Sequence, residues 1–142
     1  MPSEPRSGAL VQRLQREPLL ADGAMGTMLY ARGVPLDACF DVLNLQGAKT
    51  VQGIHREYVA AGADAIETNT FGANRIGLAK HGFSERVEAI NRAGVELARR
   101  VAGDEAFVAG AVGPTGVKFA YAAAHERELA LDALREQIAG LA

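Results

Sequence analysis

The chain of 142 residues contains one cysteine, Cys39. A lone thiol rules out an internal disulfide framework and suits the reducing cytoplasm, where we expect the protein to reside. It also leaves the chain without the several converging sulfurs that a thiolate metal site needs. Charge of one sign is not in excess. The net charge is −2, with both signs mixed along the expected helices and no basic stripe, so a nucleic-acid partner is not expected. No apolar run is long enough to cross a bilayer, which argues against a membrane partner. The first residues, MPSEPRSG, lack the apolar segment of a secretory signal and read as a flexible tail over 1–8. Missing too are a GxSxG serine elbow and a lysine at the end of any expected strand. Serine-hydrolase and Schiff-base chemistry therefore have no candidate nucleophile here.

Hydrophobic residues make up 49% of the chain and charged residues 23%, which supports a packed core in one modest domain. The stretch Leu19 to Thr27, LLADGAMGT, organises it. A short apolar run ends in Asp22 and a glycine-bearing turn, Gly23-Ala24-Met25-Gly26, as a buried strand entering a tight turn would. Backbone N–H groups at such a junction lack intrahelical partners and suit a small anion. Asp22 beside them could hold a cation, so an amino acid would fit, carboxylate on the amides and ammonium on Asp22. Alternatively, Asp22 simply caps the turn, as Asp-Gly commonly does.

Helical spacing places a first helix over Gly8 to Arg16, closed by Pro18, and a second over Gly26 to Ala31. Leu36 to Leu45 is an apolar connector. A helix over Gly47 to Ala61 carries Val51, Ile54 and Tyr58 on one face, with Gly62 as its C-terminal cap. Ala65 and Ile66 are the heart of a second strand that ends in Glu67-Thr68-Asn69, followed by a short helix over Ala73 to His81. Ser84 can cap the next helix, whose apolar face is Val87, Ile90, Leu97 and Val101 and whose stop is Gly103. A third strand, Phe107 to Val112, leads into Gly113-Pro114-Thr115-Gly116. A last helix over Glu126 to Ala139 has Leu131, Leu134, Ile138 and Leu141 in register and Gly140 in the stop position.

One unit repeats: strand, polar loop, helix, glycine. It predicts an α/β fold with parallel strands in the order first-second-third. The polar residues Asp22, Glu67-Thr68-Asn69 and Thr115 gather at the carboxyl ends of the strands, the ligand face of such folds. Three strands are only part of a barrel. The pattern therefore reads as an N-terminal portion, about three βα units, of a (β/α)8 barrel over 9–142, cut before a fourth strand. Such a portion would leave an apolar edge open to aggregation. A small doubly wound domain is the structural alternative, although DGAMGT is not the GxGxxG turn of the Rossmann type.

Four blocks in order, DGAMGT, CFDVLNL, IHREYVAAGADAIETNTFGAN and GAVGPTG, resemble the homocysteine S-methyltransferase domain over about Leu19 to Leu141. That domain occurs in cobalamin-dependent methionine synthase, in betaine–homocysteine methyltransferase and in a bacterial protein joined to a methylenetetrahydrofolate reductase. The spelling here is nearer to the first and third. The resemblance implies a (β/α)8 barrel with a zinc ion that keeps the homocysteine thiolate deprotonated for attack on a methyl donor, with cysteine ligands that would lie beyond Ala142. It implies that this chain supplies the amino-acid cradle: Asp22 near the ammonium, Gly23, Ala24 and Met25 offering amides to the carboxylate, and Glu67, Thr68 and Asn69 lining the pocket. The partners it implies are homocysteine, the remainder of the barrel, and a fused reductase or a folate or cobalamin domain. The methyl donor itself is not specified. The chain alone is then expected to bind no zinc and to transfer no methyl group. A non-catalytic amino-acid-binding module is the functional alternative.

Other residues have plainer readings. Cys39 has no CxxC or HxxxC partner and reads as a packed or exposed thiol. His55, beside Arg56 and Glu57, reads as solvated, and His81 and His125 sit near helix ends. Met25 and Met28 suit a thioether or ordinary helix packing equally.

Overall fold

The structure, a computed structural model, describes residues 7–142. Of the expected tail over 1–8, residues 1–6 lie outside the described residues, and Ser7 and Gly8 open a helix. The helices are α1 (Ser7–Leu14), α2 (Met25–Ala31), α3 (Leu43–Gln46), α4 (Ala48–Ala60), α5 (Arg75–Ala79), α6 (Val87–Ala102) and α7 (Ala124–Leu141). Two strands, β1 (Ala65–Glu67) and β2 (Phe107–Ala109), pair in parallel with Ile66 opposite Val108.

The three expected strands are adjacent, parallel and in the expected order, but the outer two are shorter. The first reduces to an isolated parallel bridge between Ala21 and Ala65. The Leu20 carbonyl accepts from both Asp64 N and Ala65 N, and the Leu20 N–H donates to the Asp64 carboxylate, so the ladder cannot run further back. The third ends at Ala109 because hydroxyls replace the ladder beyond it. The Ala111 N–H donates to Thr68 Oγ1 at 3.0 Å, and Thr70 Oγ1 donates to the Ala111 carbonyl at 2.8 Å.

Helix α6 organises the packing. It touches α3, α4, α7 and both strands. One apolar cluster joins Val87 and Ile90 of α6 to Cys39, Val42, Ala73 and Leu78, and a second joins Ala98 and Ala102 to Ala63, Ile66 and Ala106. Cys39 is thus a packed thiol, one of the two readings open to it. Gly62 and Gly103 adopt φ of +99° and +50°, the left-handed region where glycine avoids the Cβ clash at a helix end.

Several expectations are corrected. Ser84 opens a 3-10 turn, Ser84–Arg86, and α6 starts only at Val87 without a side-chain cap. Helix α7 buries Ala130, Ala133 and Gln137, while Leu131 and Ile138 are exposed. Gly140 lies inside α7 and is not a stop. A Cβ there would sit 3.2 Å from Asn91 Cβ and 3.4 Å from Glu88 Cα, so its bareness permits a close approach to α6. The buried positions of α7 are thus small or polar residues and not Leu131 or Ile138.

His55 is the sharpest correction. It is fully buried, and neither ring nitrogen has a hydrogen-bond partner among the described residues. Helix α4 is covered by α2, α3, α6 and β1, so its buried face is wide enough to include His55 beside Val51 and Ile54. Desolvation lowers the imidazole pKa from 6.5 to about 4. The unfolded chain therefore binds a proton between these values that the folded chain refuses, and stability falls as pH drops through that window. We expect a slope of at most about 1.4 kcal/mol per pH unit from this residue. Denaturant titrations at pH 7 and pH 4.5 should show His55→Leu losing less stability on acidification than the parent; equal losses would contradict the buried neutral state.

Candidate functional site

A cleft of about 640 Å³ opens at the carboxyl ends of the strands. Asp22 follows the Ala21 bridge, Glu67 ends β1, and Ala111 lies just beyond β2. The connector supplies the opposite wall through Cys39, Phe40 and Asp41. Every residue expected in the amino-acid cradle lines this cleft: Asp22, Gly23, Ala24, Met25, Glu67, Thr68 and Asn69. Thr115 does not. It is buried, and its Oγ1 accepts from Val117 N at 3.3 Å. Met28 also lies outside the lining, whereas Met25 is part of it.

Asp22 is anchored across strands. Both carboxylate oxygens accept from the Glu67 N–H at 3.1 Å, and the Asp22 N–H donates to the Ala65 carbonyl at 2.9 Å. It does not bind the amides of its own turn, so the turn-cap reading does not describe it. The N–H groups of Gly23, Ala24 and Met25 have no hydrogen-bond partner among the described residues. Burial raises the Asp22 pKa; the Glu67 amide works against that shift, and the neighbouring Glu67 charge adds to it. Neither Asp22 nor Glu67 has an ion-pair partner among the described residues. Two acids without ion-pair partners thus line one cleft with three free amides.

Behind this surface most of the polar atoms bond to each other, with Gln137 Oε1 left unpaired among the described residues. Thr68 and Thr70 share a hydroxyl–hydroxyl bond of 2.6 Å and clasp Ala111. Asn69 Nδ2 donates to the Phe40 carbonyl at 2.8 Å and to Asn44 Oδ1 at 3.2 Å. Asn44 Nδ2 donates to the Asn69 carbonyl at 2.7 Å and to the Ile90 carbonyl at 3.2 Å. From α7, the buried Gln137 Nε2 donates to the Thr70 carbonyl at 2.6 Å. Thr68 and Asn69 therefore build the wall, and Glu67 is the residue of that trio whose side chain is exposed to the cleft. Asp41 holds the other wall, its Oδ1 accepting from Gly72 N at 3.0 Å, and burial raises its pKa.

Sequence reasoning missed Asn44, Thr70, Asp41 and Gln137. Asn44 and Asp41 lie within the CFDVLNL block and break its apolar run, which was the available signal; Gln137 offered none.

A metal does not fit the donors present. Among the described residues no three His, Cys, Asp or Glu side chains converge as a metal set. Burial also raises the pKa of Cys39, opposing the thiolate a zinc ion would take.

The wall depends on a missing side chain. A Cβ at Gly94 of α6 would sit 2.6 Å from Thr70 Cγ2 and 2.8 Å from Asn44 Nδ2. Gly94→Ala should therefore cost about 1–3 kcal/mol through overpacking, read by chemical denaturation. Unchanged stability would show that the wall yields freely.

The family model for homocysteine S-methyltransferase matches residues 19–142. The chain is 35% identical to methionine synthase of Mycobacterium tuberculosis and 33% identical to that of Mycobacterium leprae; each match covers 93% of this chain and 12% of the relative. Among solved structures, the homocysteine methyltransferase MmuM from Escherichia coli superposes in its oxidized form with TM-score 0.75 at 28% identity. Its metallated form gives 0.74 at 27%. Both cover 93% of this chain, which spans 52% of the solved chain. With the motifs, the parallel sheet and the match over nearly its whole length in agreement, the chain belongs to the homocysteine S-methyltransferase family.

Proposed function

We propose that the chain forms the amino-acid-binding portion of a zinc-dependent enzyme that methylates the homocysteine thiol to give methionine. In this reading it contributes the first three βα units of a (β/α)8 barrel and acts in the cytoplasm. The observation that carries the reading is the cleft itself, with the unpaired carboxylates of Asp22 and Glu67 beside the free amides of Gly23, Ala24 and Met25. An α-amino acid presents the complement: an ammonium for the acids and a carboxylate for the amides. Held at both ends, its side chain is directed away from the turn, and the thiol is presented to whatever completes the site.

The zinc of the complete enzyme would be held by residues outside this chain, since Cys39 is packed among Val42, Leu78 and Ile90. When bound, zinc would supply the lowered thiol pKa that methyl transfer requires. The methyl donor, whether folate, cobalamin or another, would come from a further domain or partner.

Asp22→Asn in the complete enzyme keeps the shape of the side chain and its bond from Glu67 N but removes the charge. We expect homocysteine binding to weaken by about 1.5–3 kcal/mol with the melting temperature nearly unchanged. The parent's affinity should also fall as pH drops through the raised Asp22 pKa, because only the ionised acid attracts the ammonium, and the variant should lack that dependence. A Michaelis constant unaffected by the substitution would remove Asp22 from the substrate site. Metal analysis separates the two halves of the proposal: this chain alone should carry no stoichiometric zinc, and zinc with methyl transfer by the chain alone would place the ligands within it.

A further inference from the structure

Tyr58 of α4 lies outside the cleft lining, yet its hydroxyl donates to the carbonyl of Ala24 at 3.0 Å. Its ring lies against Gly23, where a built Cβ would meet Tyr58 Oη at 2.8 Å and the ring carbons at 3.2 and 3.3 Å. A trans peptide points its C=O and N–H in opposite directions, and no cis peptide occurs among the described residues. The bond that draws the Ala24 carbonyl towards α4 therefore turns the Met25 N–H away from Tyr58, and Met25 itself lines the cleft.

We propose that Tyr58 is a positioning residue that fixes the orientation of the Ala24–Met25 peptide, and so aims the Met25 amide at the substrate carboxylate. This rests on the amino-acid cradle proposed above and adds to it a residue that never touches the ligand. It also explains Gly23, since any side chain there would displace the tyrosine that orients the turn. The contact between α2 and α4 does not depend on this hydroxyl alone: Arg32, just after α2, pairs with Glu57 of α4 and also donates to the Met28 carbonyl. Tyr58→Phe should therefore fold.

The test uses the complete enzyme and two thiols, homocysteine and 3-aminopropane-1-thiol, which differ only by the carboxylate. Tyr58→Phe should raise the dissociation constant and KM for homocysteine about three- to tenfold, the range expected for one lost hydrogen bond, with kcat unchanged. Binding of 3-aminopropane-1-thiol should not change. Equal weakening towards both thiols would reduce Tyr58 to a structural role, and no weakening towards either would dismiss it; both results overturn the proposal. If the parent itself bound the two thiols alike, the amide cradle would be refuted before any variant was compared, and the orienting role with it.

Discussion

The bond from the Glu67 N–H to both oxygens of Asp22 joins the fold to the site. It crosses between the Ala21 bridge and β1 where the ladder runs out, so a side chain completes what the backbone leaves open. The consequence is chemical. An Asp tied across strands is not free to satisfy its own turn, and the amides of Gly23, Ala24 and Met25 remain available. The same contact brings Asp22 close enough to Glu67 for the two charges to oppose each other. In the proposed cradle a cation would relieve both the repulsion and the desolvation, so an ammonium would be favoured there for the reason that makes the acids costly when bare.

The rest of the structure keeps that joint rigid. Thr68, Thr70 and Ala111 tie β1 to β2 just past the last ladder pair, and Gln137 secures the knot from α7. Asn44 and Asn69 lock the connector against the same loop. Buried polar networks of this kind stabilise when every member is paired and are costly when one is lost. Placed behind the cleft, this one fixes the wall, with the buried Gln137 Oε1 as its unpaired atom among the described residues, and leaves the acids and amides in front open to a ligand.

Much of this was legible in the sequence. Strand-loop-helix repetition with glycine stops revealed parallel order, and polar residues at strand ends, Thr115 apart, pointed to the end of the sheet where the cleft opens, because both follow from local periodicity and turn chemistry. What stayed hidden depends on how helices approach one another. Leu131 and Ile138 have helical spacing, yet α7 buries Ala130 and Ala133 instead and approaches α6 closely at the bare Gly140. His55 looked solvated beside Arg56 and Glu57, but α4 is enclosed on more sides than one apolar stripe suggests. Thr68 and Asn69 were read as pocket residues and do line it, but which of their atoms are already bonded is a fact of tertiary geometry. Tyr58 was legible as a core position; its hydroxyl's partner, a carbonyl in the first turn, was not.

The central claim is that free turn amides and two acids form one amino-acid cradle. Its most direct measurement is a nuclear magnetic resonance titration of the 15N-labelled complete protein with homocysteine, following each backbone amide. The account predicts the largest shifts at Gly23, Ala24 and Met25, with Glu67 responding through its bond to Asp22. Saturable binding that left these amides unmoved, with the shifts concentrated elsewhere, would contradict it.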